Sequence, residues 1–316
     1  MNLIINAFAF EENYGNSMQL AKKGDNAKLN IYMKNIVVSL CSAKKQNPND
    51  EVMLIANAEP AKEYSDILKE NNIKTVIVAY DDFTMPKEFP WALAFYKLCA
   101  LKYAASMTEY EKILLIDSDT ITFHNYDSLW KEADYGLLLY NINHEFNHEH
   151  RGIQKSVYCE LYKDEDYNLV HYGGEFIAGK RHVILKLIEE CEEVYSKLKE
   201  INYKVNNEIG DELILSVAAI HLKNKGVPIY EGGAYIFRYW TSKFYLVCTN
   251  TINNAVCIWH LPVEKDRGFL YIFNSFRKKG QFPCPEKAAK IFGICEAKRP
   301  GGLLSFYTRV LRKLSK

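Results

Sequence analysis

The sequence predicts an α/β protein built on a mostly parallel, Rossmann-like sheet with helices on both faces. Two observations carry this prediction: short apolar runs recur along the first 140 residues, and apolar residues at helical spacing fill the segments between them. Alternating strands and helices form parallel sheets, because each parallel connection needs a crossover. The ligand of such a sheet lies beyond the carboxyl ends of the strands. We therefore expect the functional residues in loops that follow strands.

Five apolar runs are predicted to be strands, because each is short and bounded by polar or turn-forming residues. They cover residues 3–10, 51–56, 73–79, 112–116 and 135–140. Helices are predicted between them, at residues 29–45, 61–70 and 91–107. Further along the chain we expect a polar stretch to about residue 168, a glycine-rich turn at 171–179 and helices over 181–200 and 211–223. The expected division is a catalytic domain, 1–270, and a C-terminal extension, 271–316.

Composition limits the class of protein. The chain has 316 residues, 48% of them hydrophobic, and a formal net charge of +1, so it can bury a full core and has no overall electrostatic footprint for nucleic acid. The first residues lack a basic signal-peptide region, and no apolar run is long enough to span a membrane. The eight cysteines contain no C-x-x-C pair and are interpreted as reduced and structural. These features favour a cytoplasmic location.

Two carboxylates follow the fourth predicted strand, in the triplet Asp117-Ser118-Asp119. Side chains alternate between the faces of a strand, so both acids reach one point only if the strand ends here in a turn. A divalent cation that bridges phosphates prefers such a carboxylate pair. We therefore predict a metal site in a turn outside the packed core. The structural alternative is a pair of acids that merely ends a strand.

An imidazole and an amine occur near the end of a later apolar run. His260 follows residues 256–259, and Lys265 comes five residues further on. Imidazole is a suitable third ligand for Mn²⁺ beside two carboxylates, and a lysine can neutralise a diphosphate. Taken alone, His260 is more typical of a buried core histidine and Lys265 of a surface charge.

Three other segments carry polar or flexible residues after predicted elements. Asn13-Tyr14 follows the first strand, where an aromatic ring and an amide suit a nucleotide base; Gly173-Gly174 would let a backbone approach a ligand closely; Asp211-Glu212 places two acids at the start of a helix. The structural alternatives are a surface turn, a bend between strands and acids that favour a helix N-terminus.

The segment 144–148 matches the zinc-protease motif H-E-x-x-H. That motif requires a buried helix with both histidines on one face. Here the surroundings are polar, and Arg151-Gly152 is expected to end any helix. A metalloprotease is therefore rejected.

The order of these motifs along the chain is more specific than any one of them. In sequence, they are Asn13-Tyr14 after two glutamates, Tyr96-Lys97-Leu98, the strand 112–116 with Asp117-Ser118-Asp119, Leu129-Trp130, the run to Ala178-Gly179, and His260. Over residues 1–270 this order resembles the retaining GT-A glycosyltransferases of the family that contains glycogenin and the bacterial lipooligosaccharide galactosyltransferases, glycosyltransferase family 8. The Asp211-Glu212 pair is also similar to the D-E pair of the histo-blood-group type of retaining transferases.

The resemblance implies transfer of a hexose from a UDP-sugar to a glycan or lipid-linked glycan, in lipooligosaccharide, lipopolysaccharide or polysaccharide synthesis. It implies that Asp117, Asp119 and His260 hold Mn²⁺ or Mg²⁺. The donor would be bound by the metal-binding acids together with Asn13, Tyr14, Lys97, Ser118, Gly173, Gly174 and Lys265. Asp211 or Glu212 would act at the reaction centre, with Glu212 preferred.

Two other functions compete with this hypothesis. Asp117-Ser118-Asp119-Thr120 resembles the D-x-D-x-T motif of haloacid-dehalogenase-type phosphatases. That motif, however, normally occurs at the first strand of the core, and here four predicted strands come before it. Those enzymes also need a later acid, and this chain has Leu215 at the corresponding position. A catalytically inactive sugar-nucleotide or glycan binding protein is the second alternative.

The C-terminal residues 298–316 differ in composition from the rest. They contain six basic residues and no acid, which leaves a formal charge of −5 on the preceding chain. As a helix, this tail would place leucines, Tyr307 and Val310 on one face and the basic side chains on the other. Such a helix suits an anionic membrane surface, here the inner face of the cell membrane. The alternative is a terminal helix docked on the protein's own sheet.

Overall fold

The predicted sheet is the central feature of the computed structural model, which describes residues 1–9, 20, 24–85, 92–143, 148–163, 170–201, 210–240, 252 and 255–294. The predictions for Asn13, Tyr14, residues 144–147 and the tail 298–316 lie outside the described residues.

Seven strands of the described segments form the large sheet, in the order β3-β2-β1-β4-β7-β6-β8. They are β1 (Asn2–Phe8), β2 (Glu51–Ala56), β3 (Lys74–Ile77), β4 (Lys112–Ile116), β6 (Leu137–Asn141), β7 (Tyr172–Lys180) and β8 (Ile229–Glu231). All run parallel except β7, which is antiparallel to both β4 and β6. The predicted fold class and its five strands are confirmed.

Helices cover both faces of this sheet, as predicted. Those of the described segments are α1 (Asp25–Gln46), α2 (Lys62–Glu70), α3 (Tyr96–Ser106), α4 (Asp127–Glu132), α5 (His148–Leu161), α6 (Arg181–Glu200), α7 (Asp211–Asn224), α8 (Gly268–Lys279) and α9 (Pro285–Phe292). One core contains residues of α1, α2, α4, α8 and α9, and the other contains residues of α3, α5, α6 and α7. Leu3, Ile4 and Ile5 of β1 are fully buried and alternate between the two cores, because both faces of the strand are covered.

Two local predictions are wrong. The glycine-rich segment is not a turn: it is β7, whose side chains are buried up to Gly179, between β4 and β6. The polar stretch before it contains α5, which runs through Arg151-Gly152. A glycine inside a helix costs about 1 kcal/mol relative to alanine, and burial of Val157 and Tyr158 in the core offsets that cost.

A second, three-stranded sheet lies beside the turn that follows β4. It consists of β5 (Thr120–Thr122), β9 (Ile236–Arg238) and β10 (Ile258–His260), with β10 in the middle. Its register places His260 opposite Thr120 on one side and Arg238 on the other. The end of β10 therefore lies next to the D-x-D turn.

Helix α8 crosses the predicted domain boundary at residue 270. It begins at Gly268, and its residue Phe269 belongs to the same core as α1.

The cysteines of the described segments, at 41, 99, 159, 191, 257 and 284, are free, while those at 248 and 295 lie outside the described residues. Among the helices of the described segments, none combines the length and apolarity that a bilayer crossing requires.

Candidate active site

The two aspartates of the D-x-D triplet meet His260 at the junction of the two sheets. Strand β4 ends at Ile116, and the Asp117 N–H donates to the Glu175 carbonyl of β7 at 3.1 Å. Ser118 and Asp119 form the turn that leads into β5. One ligand atom each from Asp117, Asp119 and His260 lies within 4.8 Å of the others. The predicted convergence of these three side chains is confirmed.

The donor set of this cluster fits a divalent cation. His260 Nε2 lies 3.1 Å from Asp119 Oδ2 and 4.0 Å from Asp117 Oδ2, so one imidazole nitrogen and two carboxylates face a common point. Mixed carboxylate and imidazole ligands suit Mn²⁺, and carboxylates alone suit Mg²⁺. Asp117 is the most exposed of the three side chains, which leaves the cluster open on its side.

Asp119 is buried, contrary to the expectation of a turn outside the core. Its side chain is 3% exposed, because β5, β10 and Lys265 surround it. Lys265 Nζ lies 2.5 Å from Asp119 Oδ2, and Lys97 Nζ of α3 lies 3.1 Å from Asp117 Oδ1. Two ammonium groups thus balance the two carboxylates.

Burial and neighbouring charges shift the pKa values of this cluster in opposite directions. Burial favours the neutral form of Asp119, but the charges of Lys265 and His260 outweigh it and hold the pKa of Asp119 well below its usual range. Burial likewise lowers the pKa of His260, but Asp119 and Glu175 outweigh it and raise that pKa to about 9. His260 is therefore protonated at neutral pH in the metal-free protein, and binding a cation through Nε2 requires release of that proton.

The backbone beneath the aspartates is fixed by buried polar side chains. Asn6 of β1 donates from Nδ2 to the Ile116 carbonyl at 2.7 Å, and the Thr120 hydroxyl donates to the Asp117 carbonyl at 2.7 Å. The hydroxyls of Ser39 and Thr120 are also 2.7 Å apart. These contacts hold the D-x-D turn in one conformation.

Asp211 and Glu212 lie in the first turn of α7, as predicted, and face the same site. Asp211 Oδ2 is 2.9 Å from Lys97 Nζ, so Lys97 joins Asp211 to Asp117. Glu212 Oε1 accepts from Arg238 Nη2 at 2.9 Å, and Glu212 Oε2 lies 3.5 Å from His171 Nε2.

The two acids differ in pKa. Burial raises the pKa of Asp211 to about 6, with Lys97 opposing that rise. Burial also raises the pKa of Glu212, but Arg238 and His171 outweigh it and bring that pKa to about 2. Both acids are therefore mainly ionised at neutral pH, Glu212 more completely than Asp211.

The ion pair between Glu175 and Arg238 was not predicted from the sequence. Arg238 Nε and Nη2 donate to the two oxygens of Glu175 at 2.7 and 2.6 Å, and Glu175 is 1% exposed. The available signal was a glutamate within a run of apolar and small residues, since a buried carboxylate needs a cationic partner.

The two glycines of β7 make room for these charged side chains. A Cβ on Gly173 would lie 2.0 Å from Glu175 Oε2, and a Cβ on Gly174 would lie 2.1 Å from Asp211 Oδ2 and 3.0 Å from Lys97 Nζ. At position 174, only glycine fits while the Lys97–Asp211 ion pair stays in place. Whether the same glycines also approach a donor remains a prediction.

We expect Gly174→Ala to displace Asp211 and Lys97 and to reduce turnover of the sugar-nucleotide donor that the family resemblance implies, because its methyl group occupies the place of the Asp211 carboxylate. The matched control is Gly152→Ala in α5, where a Cβ meets nothing within 4 Å. That variant should raise the free energy of unfolding by about 0.5–1 kcal/mol and leave turnover unchanged. Thermal unfolding and donor hydrolysis measure both effects; wild-type turnover in Gly174→Ala would contradict this account.

Comparison with known proteins supports the fold. No family model matches the chain, and no curated protein matches it. Among solved structures, the chain is similar to the galactosyltransferase LgtC, which was solved in complex with donor and acceptor sugar analogues. The superposition has a TM-score of 0.55 at 12% sequence identity and covers 94% of this chain and 97% of LgtC. The chain thus has the α/β fold of a GT-A glycosyltransferase.

Proposed function

We propose that the protein is a retaining glycosyltransferase that moves a hexose from a UDP-sugar to a glycan acceptor, with Mn²⁺ or Mg²⁺ bound by Asp117, Asp119 and His260. The observation that carries the proposal is the convergence of these three side chains in a fold that matches a galactosyltransferase over nearly its whole length. LgtC was solved with donor and acceptor analogues, which supports the same two classes of ligand here.

Charge at the site is suited to a diphosphate leaving group. When bound, the cation offsets the negative charge that develops on the departing nucleotide. Lys97 and Lys265, which lie against Asp117 and Asp119, add positive charge at the same place. The remaining donor contacts in the proposal come from Ser118, Gly173 and Gly174 near the metal and from Asn13 and Tyr14 at the base.

Glu212 is the stronger candidate for the carboxylate at the reaction centre. Its side chain is 29% exposed, whereas that of Asp211 is 10% exposed; both acids are ion-paired, Glu212 with Arg238 and Asp211 with Lys97. Retention of configuration requires either attack of the acceptor from the leaving-group face or a short-lived glycosyl-enzyme. In either case, a carboxylate close to the anomeric carbon stabilises the positive charge that develops there.

The test is a screen of UDP-, GDP- and CDP-sugars for slow hydrolysis with and without Mn²⁺, because hydrolysis requires no knowledge of the acceptor. We expect nucleotide release from a UDP-sugar that depends on Mn²⁺ and is lost in Asp119→Asn. Phosphate release from an aryl phosphate, without sugar-nucleotide turnover, would instead establish the phosphatase alternative. Tight UDP binding without any turnover would establish an inactive binding protein.

The proposed setting is synthesis of a cell-surface lipooligosaccharide or polysaccharide at the inner face of the cell membrane. Its support is the basic composition of residues 298–316, where each cation contributes about 1 kcal/mol to binding an anionic surface. Docking there would bring the site to a lipid-linked acceptor.

Truncation after Glu296 should abolish binding to vesicles that contain phosphatidylserine and leave UDP-sugar hydrolysis unchanged, because the site residues in the proposal all precede residue 270. Vesicle co-sedimentation measures the first effect and nucleotide release the second. Unchanged vesicle binding by the truncated chain would contradict membrane docking through the tail.

A further inference from the structure

Glu175 touches the imidazole of His260 on the side away from the D-x-D aspartates. Glu175 Oε1 lies 3.3 Å from His260 Nδ1, while His260 Nε2 lies 3.1 Å from Asp119 Oδ2. The two nitrogens of one ring therefore face two different carboxylates. Both Glu175 and His260 are buried, so water does not compete for either contact.

Glu175 is itself held in one orientation. It belongs to β7, the antiparallel strand between β4 and β6, and its carbonyl accepts the Asp117 N–H. Arg238 donates hydrogen bonds to both of its carboxylate oxygens. In the three-stranded sheet, Arg238 of β9 lies directly opposite His260 of β10. A bidentate arginine fixes the plane of a carboxylate as well as its position. The large sheet and the small sheet thus both constrain Glu175.

The same arginine extends the network to the reaction-centre candidate. Arg238 Nη2 contacts both Glu175 Oε2 and Glu212 Oε1, at 2.6 and 2.9 Å. An unbroken series of contacts therefore runs from Asp119 through His260, Glu175 and Arg238 to Glu212.

We propose that Glu175 is a positioning residue for the metal centre: it accepts the Nδ1 proton of His260 and so keeps the Nε2 lone pair directed at the cation. A carboxylate on the outer nitrogen of a metal-binding histidine fixes the tautomer and orientation of the ring. Glu175 contacts Nδ1, the ring nitrogen that faces away from the aspartates, and therefore acts on the cation only through His260. The inference rests on the metal binding in the proposed function.

A double-mutant cycle on Mn²⁺ affinity tests this role. The dissociation constant of Mn²⁺ is measured by electron paramagnetic resonance in the presence of UDP, for wild type, Glu175→Gln, His260→Ala and the double variant. We expect Glu175→Gln to weaken Mn²⁺ binding about 10- to 100-fold. In the His260→Ala background, the same substitution should have less than about a twofold further effect, because no imidazole remains to be oriented.

Glu190→Gln is the matched control. Glu190 is a buried carboxylate on α6 that contacts an imidazole, His221, and an amine, Lys225, outside the site. Because Glu190, Glu193 and His221 also lie close enough together to hold a cation, only the Mn²⁺ signal that depends on UDP is compared. We expect this variant to keep wild-type affinity for that Mn²⁺. An equal loss in Glu190→Gln, or equal effects of Glu175→Gln with and without His260, would overturn the positioning role in favour of a general structural one.

Glu175→Asp provides a second variant if Glu175→Gln does not fold. It keeps the charge beside Arg238 but withdraws the carboxylate from His260 by one methylene group, so weaker Mn²⁺ binding is again expected. Wild-type affinity in the folded Glu175 variants overturns the inference alone. If wild-type protein binds no Mn²⁺ with UDP, or if Asp119→Asn binds it equally well, the proposed function itself fails.

Discussion

Under the proposed function, Asp119→Asn should reduce Mn²⁺-dependent UDP binding by about 100-fold or more and bring sugar transfer below detection, because loss of a charged ligand would weaken binding of both the cation and the diphosphate. Isothermal titration of UDP with and without Mn²⁺ measures the loss. His260→Ala should have a smaller effect, since it leaves both aspartates in place. Wild-type binding in Asp119→Asn would remove the metal site from the account.

The amide is the informative substitution at this position. Asp119 is buried against Lys265 and His260, so either neutral substitution leaves buried cations without a counter-charge, at a cost of about 3–5 kcal/mol, and alanine adds a cavity to that loss. Asparagine keeps the volume and part of the hydrogen bonding. The control is Asp134→Asn: Asp134 pairs with Lys112 and Lys180 at an exposed position, and its loss should not alter UDP binding.

Glu212→Gln should lower kcat about 100-fold or more while changing the KM for the donor less than about threefold. A group that stabilises charge only in the transition state lowers turnover without weakening the ground-state complex. Asp211→Asn should lower kcat less, because the Asp211 side chain is less exposed than that of Glu212. Steady-state hydrolysis of the UDP-sugar separates the two constants.

The two amides also discriminate between function and structure at the start of α7. Acidic residues favour a helix N-terminus through its dipole, at about 0.3–1 kcal/mol each. If both variants change only KM, or change only thermal stability, the assignment of the reaction centre is wrong. Asp211 and Glu212 would then have structural roles only, at the helix start and in their ion pairs with Lys97 and Arg238.

The sequence was sufficient to predict the sheet and the convergence of Asp117, Asp119 and His260. Strands such as 112–116 are buried on both faces and therefore appear as continuous apolar runs. The need for Asp117 and Asp119 to face one point predicts a turn, and the turn is present. The placement of His260 beside the aspartates could be predicted only from the family resemblance, because an isolated histidine after an apolar run is equally typical of a core residue.

The rest of the site depends on pairings between distant segments. Arg238 reaches Glu175 through the register of β9 with β10, and neither strand β5 nor β9 is apparent from periodicity because each has three residues. The glycines at 173 and 174 indicated a turn, yet they clear space for side chains from α3, α7 and β9. A single sequence does not specify which distant charges a glycine accommodates.

The most direct test of the account is a combined phosphorus and proton magnetic resonance time course of one UDP-sugar with wild-type protein and Mn²⁺. We expect UDP to appear and the free sugar to form first as the anomer present in the donor. Both signals should vanish when Mn²⁺ is removed or Asp119 is replaced by asparagine. Inorganic phosphate as the product, the opposite anomer first, or turnover that ignores Mn²⁺ would contradict it.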